Sequence, residues 1–185
     1  LYTPNGLGKP APCFVGPSFS GNHAVSTETD IPLSTRWMRA SKEKGVADNR
    51  ATEDSRGSEA SRWQLEMVIA KGCAVATYYY GDIEPDHADG WKDGLRAVLS
   101  PKGATTDWQD GQWGAIGAWA WGLSRIADYL ETESAVDAKK LAVIGHSRLG
   151  KTSLWAGAQD QRFGVVISNN SGEGGAAIMR RNFGE

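Results

Sequence analysis

Residues 141–152, LAVIGHSRLGKT, constrain the fold and the chemistry of this chain more than any other segment. Four apolar residues lead into Gly145 and then Ser147, the order expected for a buried strand, a sharp turn and a helix start. Such a turn, called a nucleophile elbow, raises a serine hydroxyl at the carboxyl edge of a sheet. Residues 145–152 also fit G-x-x-x-x-G-K-[ST], the loop that binds nucleotide phosphates.

The two interpretations make different demands on the rest of the chain. The strict elbow pattern G-x-S-x-G is not met, because Leu149 stands in its fifth position and the glycine comes one residue later. A phosphate loop needs a magnesium-binding acid after another apolar strand, and Asp82 is the candidate for it. The backbone amides of a phosphate loop converge on the phosphates most readily when the loop residues are small, whereas Arg148 and Leu149 are bulky. The pattern therefore favours the elbow and leaves the phosphate loop as an alternative.

Longer stretches resemble one enzyme family. Residues 141–180 closely resemble the glucuronoyl esterases of carbohydrate esterase family fifteen, particularly their bacterial branch. Further similar motifs are FVGPSFSGNH at 14–23, ATYYYGDI at 76–83 and WGAIGAWAWGLSR at 113–125. The resemblance implies an α/β-hydrolase fold, in which helices flank a mostly parallel sheet, here truncated before its last strands.

The resemblance also implies an activity. These enzymes cleave the ester that joins a 4-O-methyl-glucuronic acid branch of xylan to an alcohol in lignin, by a serine acyl-enzyme route without metal or organic cofactor. Bacterial members are often labelled acetylxylan esterases. An acetylxylan esterase or another carbohydrate esterase on the same fold is therefore the neighbouring alternative. The expected partner is a carbohydrate ester, and the family implies a secreted or periplasmic bacterial location.

Three residues around the elbow receive roles from the resemblance. It makes Ser147 the nucleophile, Arg148 an oxyanion stabiliser and Lys151 a contact to the hydroxyls of the uronic sugar. A tetrahedral intermediate carries negative charge on the former carbonyl oxygen, which a fixed guanidinium beside a backbone N–H favours. Lys151 follows Ser147 by about one helical turn, so the resemblance brings its ammonium to the same side of the helix start.

The chain lacks two groups that a serine hydrolase needs. Asn170 occupies the position where much of the family has a catalytic glutamate, and Glu173 nearby is more typical of a solvated turn residue than of a substitute acid. In this fold the triad order is serine, acid, histidine, and no histidine follows Ser147. His23 either lines the cleft or is a hydrogen-bonded loop histidine. We expect the acid and base to lie beyond Glu185.

The termini suggest the same incompleteness. The chain begins at Leu1 with no methionine and no charged segment leading into an apolar stretch, so no signal peptide is visible. Residues 1–185 are interpreted as one partial α/β-hydrolase domain. Residues 39–61 are rich in Lys, Glu, Asp, Arg and Ser, which predicts a solvated insertion loop.

Charge and composition restrict the class of partner. The net charge of −2 provides no basic surface for nucleic acid, and no apolar run is long enough to cross a bilayer. Asp82, Asp86 and Asp89 have no His or Cys at ligand spacing, so no metal site is predicted. Cys13 and Cys73 are interpreted as two buried thiols rather than a disulfide.

Hydrophobic periodicity predicts alternating strands and helices. The predicted strands are 13–15, 73–79, 141–144 and 164–168. The predicted helices are 61–71, closed by Gly72, and 115–131, with an apolar stripe of Ile116, Trp119, Leu123, Ile126 and Leu130. Residues 137–140 are expected to form a turn that Asp137 caps.

The chain contains eight tryptophans, and flat aromatic rings commonly pack on sugars. Trp119 and Trp155 fall on predicted apolar helix faces, where packing explains them. Trp91, Trp108 and Trp113 lie in loops rich in Gly and Asp and are the candidates for contact with substrate.

Overall fold

The computed structural model describes residues 1–99, 112–178 and 180. The chain divides into two compact units. The first consists of Leu1–Pro17, Leu65–Thr77 and Ala120–Glu185, and the second of Ser18–Gln64 and Tyr78–Trp119.

Strands and helices alternate over the second half of the chain, as the periodicity predicts. The strands are β1 (Ala11–Ser18), β2 (Val46–Ala47), β3 (Arg50–Ala51), β4 (Ala74–Tyr79), β5 (Val136–His146) and β6 (Phe163–Asn169). The α-helices are α1 (Ala60–Trp63), α2 (Leu65–Ala70), α3 (Tyr80–Ile83), α4 (Leu95–Leu99), α5 (Ala115–Thr132) and α6 (Arg148–Gln159). Short 3-10 helices lie at Asn22–Ala24, Lys42–Lys44, Glu53–Ser55 and Gly90–Asp93.

A four-stranded sheet of order β4-β1-β5-β6 forms the core of the first unit, and its pairs β1–β5 and β5–β6 are parallel. The central strands bury their side chains: Cys13, Val15, Leu141 and Val143 are at most 1 % exposed. Helix α6 packs on β5 and β6. Because β5 and β6 are parallel, their carboxyl ends lie side by side, with His146 opposite Asn169. The four predicted strands and the mostly parallel sheet are confirmed.

Helix α5 confirms the prediction for residues 115–131. Its stripe faces inward, with Trp119, Leu123 and Leu130 buried and Ile116 and Ile126 half-buried. Neither α5 nor any other helix in the described part of the chain is long and apolar enough to cross a membrane.

The predicted helix over 61–71 is wrong as a single element. Gln64 takes a positive φ of 46°, which interrupts the chain between α1 and α2. Its side-chain amide donates a hydrogen bond to the Ser61 carbonyl at 2.6 Å, which supports this left-handed conformation. Gly72, with φ 76°, follows the end of α2 as predicted.

The predicted turn at 137–140 is part of β5. Ala11 pairs with Val136 and Cys13 with Leu141, so β1 advances by two residues while β5 advances by five, and the extra residues form a bulge. Within it the Asp137 carboxylate accepts a hydrogen bond from the Lys139 N–H at 3.2 Å and pairs with the Lys140 ammonium at 2.8 Å. Asp137 therefore supports a bulge, with contacts that resemble those expected of a turn.

The charged tract 39–61 is more ordered than a solvated loop. It contains the β2–β3 hairpin, whose turn residues Asp48 and Asn49 both have positive φ, as a type I′ turn requires. Glu59 is only 5 % exposed. Its carboxylate accepts hydrogen bonds from Lys44 and from the Ser20 hydroxyl. The charge of Glu59 is thus paired inside the second unit rather than solvated.

A buried ion pair organises the segment after β4. Glu84 is 1 % exposed, and Arg96 donates to both of its oxygens, from Nε at 2.8 and 2.9 Å and from Nη2 at 2.6 Å. The Trp119 indole N–H donates to the Glu84 carbonyl at 2.9 Å. Loss of one partner would leave the other charge buried without compensation, which costs more than the pair contributes.

We predict that Arg96→Met lowers the free energy of unfolding by about 3–5 kcal/mol, because Glu84 would remain buried without its cation. Urea denaturation followed by tryptophan fluorescence measures this loss. The matched control is Lys92→Met, which removes a cation from the exposed Lys92–Asp89 pair and should leave the midpoint almost unchanged. Equal midpoints for the two variants would contradict the structural role of Arg96.

Candidate active site

Ser147 forms a strained link between β5 and α6. Its φ of 54° and ψ of −128° are a combination that side-chain-bearing residues rarely adopt, at a cost of about 1–3 kcal/mol. Three backbone hydrogen bonds hold it. The Ser147 N–H donates to the Asn169 carbonyl at 2.9 Å, and its carbonyl accepts from Gly150 at 2.8 Å and Lys151 at 3.1 Å. This is the backbone conformation expected at a nucleophile elbow.

Two glycines permit this turn. A Cβ on Gly145 would overlap the carbonyl group of Leu149 and stand 2.6 Å from the Ser153 hydroxyl oxygen. A Cβ on Gly150 would lie 3.1 Å from the Gly145 carbonyl oxygen and 3.2 Å from that of Asn169. Leu149, in contrast, is fully buried. Gly150, which comes one residue later than the glycine of the strict motif, is therefore the residue whose Cα approaches the strand ends.

The Ser147 side chain is half-buried and makes no capping hydrogen bond to α6, within the part of the chain that the structure describes. Other hydroxyls of this helix are engaged: Thr152 donates to the Arg148 carbonyl and Ser153 to the Leu149 carbonyl, each at 3.0 Å. The helix thus uses the hydroxyls of its interior, while the hydroxyl at its start is not used as a cap.

The same geometry argues against a phosphate loop. Such a loop needs backbone amides that converge on the phosphates. Here the amides of Ser147, Gly150 and Lys151 already donate to carbonyl groups within the turn and the neighbouring strand. These three amides are therefore committed to the fold.

Arg148 and Lys151 bring positive charge to the start of α6. Both are half-buried, and the first turn contains no acidic residue. The helix N-terminus itself carries a partial positive charge, so cations in the first turn reduce the stability of the helix unless negative charge lies nearby. The arrangement suits a group on which negative charge develops. The roles inferred for these two side chains stay predictions.

Asn169 is a site residue that the sequence reasoning did not identify as such. Its side-chain amide donates to Nδ1 of His146 at 3.2 Å, and its carbonyl accepts from the Ser147 N–H. Both side chains are exposed, at the ends of adjacent strands. The signal available in the sequence was that the predicted strands 141–144 and 164–168 are each followed by polar residues, which include His146 and Asn169.

The loop after β6 is compact. Asn170, which stands in the position of the family's glutamate, is exposed and has a φ of 45°. Ser171 is buried, and its hydroxyl accepts from the Ala176 N–H at 2.8 Å. Glu173 lies in a turn, as expected, but it is half-buried, and its Oε1 has no hydrogen-bond partner among the described residues. The expectation of a solvated Glu173 is thus wrong.

Of the two alternatives for His23, the structure shows the hydrogen-bonded loop histidine. His23 is fully buried in the second unit; its Nδ1 accepts from the Ser34 N–H at 3.4 Å, so Nε2 donates to the Ser55 hydroxyl at 2.9 Å. Burial, aided by the Arg56 charge, lowers the pKa of His23. His87 is exposed and packs against the Trp37 ring, with centroids 4.7 Å apart.

The candidate sugar-contacting tryptophans remain predictions. Trp91 and Trp113 are half-buried, and Trp108 lies outside the described residues. Trp155 was expected to pack on an apolar helix face, but it is 51 % exposed; this expectation was wrong because α6 packs through other positions.

The remaining polar candidates have local partners. Asp86 accepts from the Tyr80 hydroxyl at 3.1 Å, and Asp89 pairs with Lys92 at 2.7 Å. Among the described residues, no three His, Cys, Asp or Glu side chains form a group that could hold a metal ion. Cys13 and Cys73 are both free thiols, and burial raises the pKa of Cys13 to about 12. The prediction of two thiols without a disulfide is confirmed, but only Cys13 is buried, and Cys73 is half-buried.

We predict that Gly145→Ala destabilises the protein by about 2 kcal/mol or more, because the new methyl group would force the start of α6 away from β5. Gly164→Ala is the matched control on the neighbouring strand, since its Cβ would meet nothing closer than 4.0 Å. Thermal unfolding of both variants measures the difference. Equal melting temperatures would show that the turn can accommodate a methyl group at position 145, which would contradict the structure.

Comparison with known proteins points to one family. A family profile described as glucuronyl esterase, fungi, matches residues 64–184. The carbohydrate esterase MZ0003, from an unknown prokaryotic organism, is 51 % identical over the whole chain, which covers 42 % of that protein. A 4-O-methyl-glucuronoyl methylesterase 1 from Phanerochaete chrysosporium is 40 % identical over 132 residues, 65 % of this chain and 26 % of that protein.

Solved structures give the same result. The structure of a glucuronoyl esterase from Solibacter usitatus is 51 % identical, with a TM-score of 0.87 over 97 % of this chain and 44 % of that one. The chain therefore spans less than half the length of these relatives.

Proposed function

Because the chain belongs to the glucuronoyl esterase family, we propose that it carries the nucleophile of a serine esterase that cleaves 4-O-methyl-glucuronoyl esters between xylan and lignin. Its mostly parallel sheet, flanked by helices, is the α/β-hydrolase sheet of that family. The observation that carries the proposal is the strained Ser147 at the junction of β5 and α6.

In the proposed reaction the Ser147 oxygen attacks the ester carbon and the alcohol leaves, so that the uronic acid is joined to the serine until water releases it. A base must take the hydroxyl proton, and an acid must orient that base. No histidine stands between Ser147 and Glu185. The chain also covers only 42 % of the prokaryotic relative. The activity is therefore proposed for the complete gene product.

Arg148 is proposed as the oxyanion stabiliser. Arg148 directly follows the nucleophile in the chain. One residue therefore supplies two donors, its backbone N–H and its guanidinium. In the tetrahedral intermediate the former carbonyl oxygen carries a full negative charge, which two donors and the positive end of α6 stabilise more than they stabilise the neutral ester. This difference is what lowers the barrier.

Lys151 is proposed to bind the hydroxyl groups of the uronic sugar. It lies one turn after the nucleophile, and its N–H is already used by the Ser147 carbonyl, so the elbow fixes its backbone. An ammonium offers three donors to hydroxyl oxygens. Such binding energy from a part of the substrate that does not react positions the ester for attack.

The proposed substrate has a consequence for location. A cell-wall polymer does not cross a bacterial membrane intact, so the complete protein would act outside the cytoplasm, and we propose that it is secreted or periplasmic. Detection of the protein in the culture medium or periplasm of its host would test this.

We predict that Ser147→Ala abolishes hydrolysis of a methyl ester of 4-O-methyl-glucuronic acid, with kcat reduced by about four orders of magnitude or more. The assay uses the complete gene product and titrates the released acid. Ser134→Ala, in the exposed turn before β5, serves as the control and should keep the kcat of the unmodified protein. A Ser147→Ala variant with normal turnover would refute the proposed nucleophile.

The same assay decides between two ester classes. We expect kcat/KM for the glucuronate methyl ester to exceed that for acetylated xylan, because Lys151 and Arg148 suit a polar acyl group. A higher kcat/KM on acetylated xylan would reassign the enzyme as an acetylxylan esterase on the same fold.

Arg148→Met should reduce kcat by about 10²–10³-fold, the usual effect of removing one oxyanion donor. The backbone N–H remains, so some catalysis should survive. Arg125→Met, which removes a cation that stacks on the Trp121 ring of α5, is the control for loss of positive charge. Equal rates for the two variants would contradict the oxyanion role.

A further inference from the structure

The side chains of His146 and Asn169 form a hydrogen-bonded pair beside the nucleophile. They end the two parallel strands β5 and β6, opposite each other in register, and the Asn169 amide donates to His146 Nδ1 at 3.2 Å. A side-chain hydrogen bond between the last residues of two strands limits how far those strand ends can separate. The elbow begins at Ser147, the residue that follows the end of β5.

Asn169 touches the elbow twice. Its carbonyl oxygen accepts the Ser147 N–H at 2.9 Å, while its side chain holds the residue that precedes Ser147. A strained φ persists only where the surroundings over-determine it. The side-chain bond adds a constraint on the amino-terminal side of Ser147, and the Gly150 and Lys151 amides constrain its carbonyl side.

The donor and acceptor pattern assigns the histidine tautomer. An amide N–H that donates to Nδ1 requires a lone pair there, so the proton of the neutral ring resides on Nε2.

We propose that Asn169 and His146 are positioning residues for Ser147: their side-chain hydrogen bond fixes the strand ends so that the strained serine keeps the orientation needed for attack. This inference rests on the proposed esterase function. Neither side chain is assigned a contact with the substrate or a proton transfer. The expected signature is a loss in kcat with little change in KM, because the acyl group would bind but meet a misplaced hydroxyl.

The test compares variants of the complete gene product. Asn169→Ala keeps the carbonyl that accepts from Ser147 and removes only the amide side chain; His146→Ala removes the acceptor. Each should lower kcat by about tenfold and change KM less than about twofold. Because both changes break one bond, the double variant should be no slower than about the slower single variant.

His146→Asn is the rescue variant. Its side-chain oxygen stands near the position of Nδ1 and can accept from Asn169, so kcat should return to within about threefold of the unmodified protein. Gln161→Ala, in the exposed turn before β6, is the control and should behave like the unmodified protein. Failure of His146→Asn to exceed His146→Ala in kcat would overturn the proposal.

Two measurements do not depend on activity. Nitrogen-15 NMR should show the Nε2–H tautomer of His146 in the unmodified protein and lose that preference in Asn169→Ala. Amide exchange at Ser147 should become faster in Asn169→Ala and in His146→Ala, although its carbonyl acceptor remains. An Nδ1–H tautomer, or unchanged exchange in both variants, would overturn the inference.

These arms separate the two possible failures. If the unmodified protein does not hydrolyse the glucuronate ester, the proposed function fails, and the tautomer and exchange data still decide whether the pair fixes the elbow. If the ester is cleaved and the single variants have independent, multiplying effects on kcat, the function stands and the shared positioning role is refuted. The His146 variants change an exposed side chain, so this comparison remains even where Asn169→Ala fails to fold.

Discussion

The close approach of α6 to β5 and β6 is the constraint on which the rest of the site depends. Gly145 lies under the start of the helix, and Gly150 and Gly157 stand seven residues apart, about two turns, on one helix face. A Cβ on Gly157 would overlap a methyl group of Val166. Because these positions lack side chains, α6 lies close against β5 and β6. This packing of α6 on the strands holds the backbone of Ser147 in its strained conformation.

The second unit contains a different kind of contact, in which buried carboxylates pair with cations. Glu59 pairs with Lys44 and Arg62, and Glu84 with Arg96. Such pairs contribute little net stability compared with apolar packing, but removing one partner is costly. They therefore fix which segments meet rather than how tightly the unit folds. A charge-rich tract can in this way belong to a core.

The sequence predicted those features that depend on local pattern. Apolar runs identified the four main strands. Apolar residues spaced three and four apart identified α5, because burial of one helix face requires apolar residues at that spacing. It could not predict the break at Gln64 or the bulge at Asp137, since each depends on a side-chain hydrogen bond to a nearby backbone group. Nor does any pattern mark Trp155 as exposed, because exposure depends on which helix face meets the sheet.

In the candidate site, too, residues of a local motif were predicted from the sequence, whereas a residue that depends on strand pairing was not. Ser147, Arg148 and Lys151 follow from one continuous motif and a family resemblance, and the strained turn at Ser147 is where the motif predicts an elbow. Asn169 lies 22 residues after Ser147, and only the parallel register of β5 and β6 brings it to the elbow. A pairing between strands separated by a helix has no periodic signal, so residues of this kind emerge from the structure alone.

The charge at the start of α6 is unfavourable for the stability of the helix, and the proposed function gives a reason for it. A helix favours acidic residues in its first turn, yet α6 has none there and begins with Arg148, followed by Lys151. Each cation near a helix N-terminus costs a few tenths to about 1 kcal/mol when exposed. A fold selected for stability alone would avoid both. Their presence beside a strained serine whose hydroxyl does not cap the helix is consistent with the proposed reaction, in which negative charge would develop at this point.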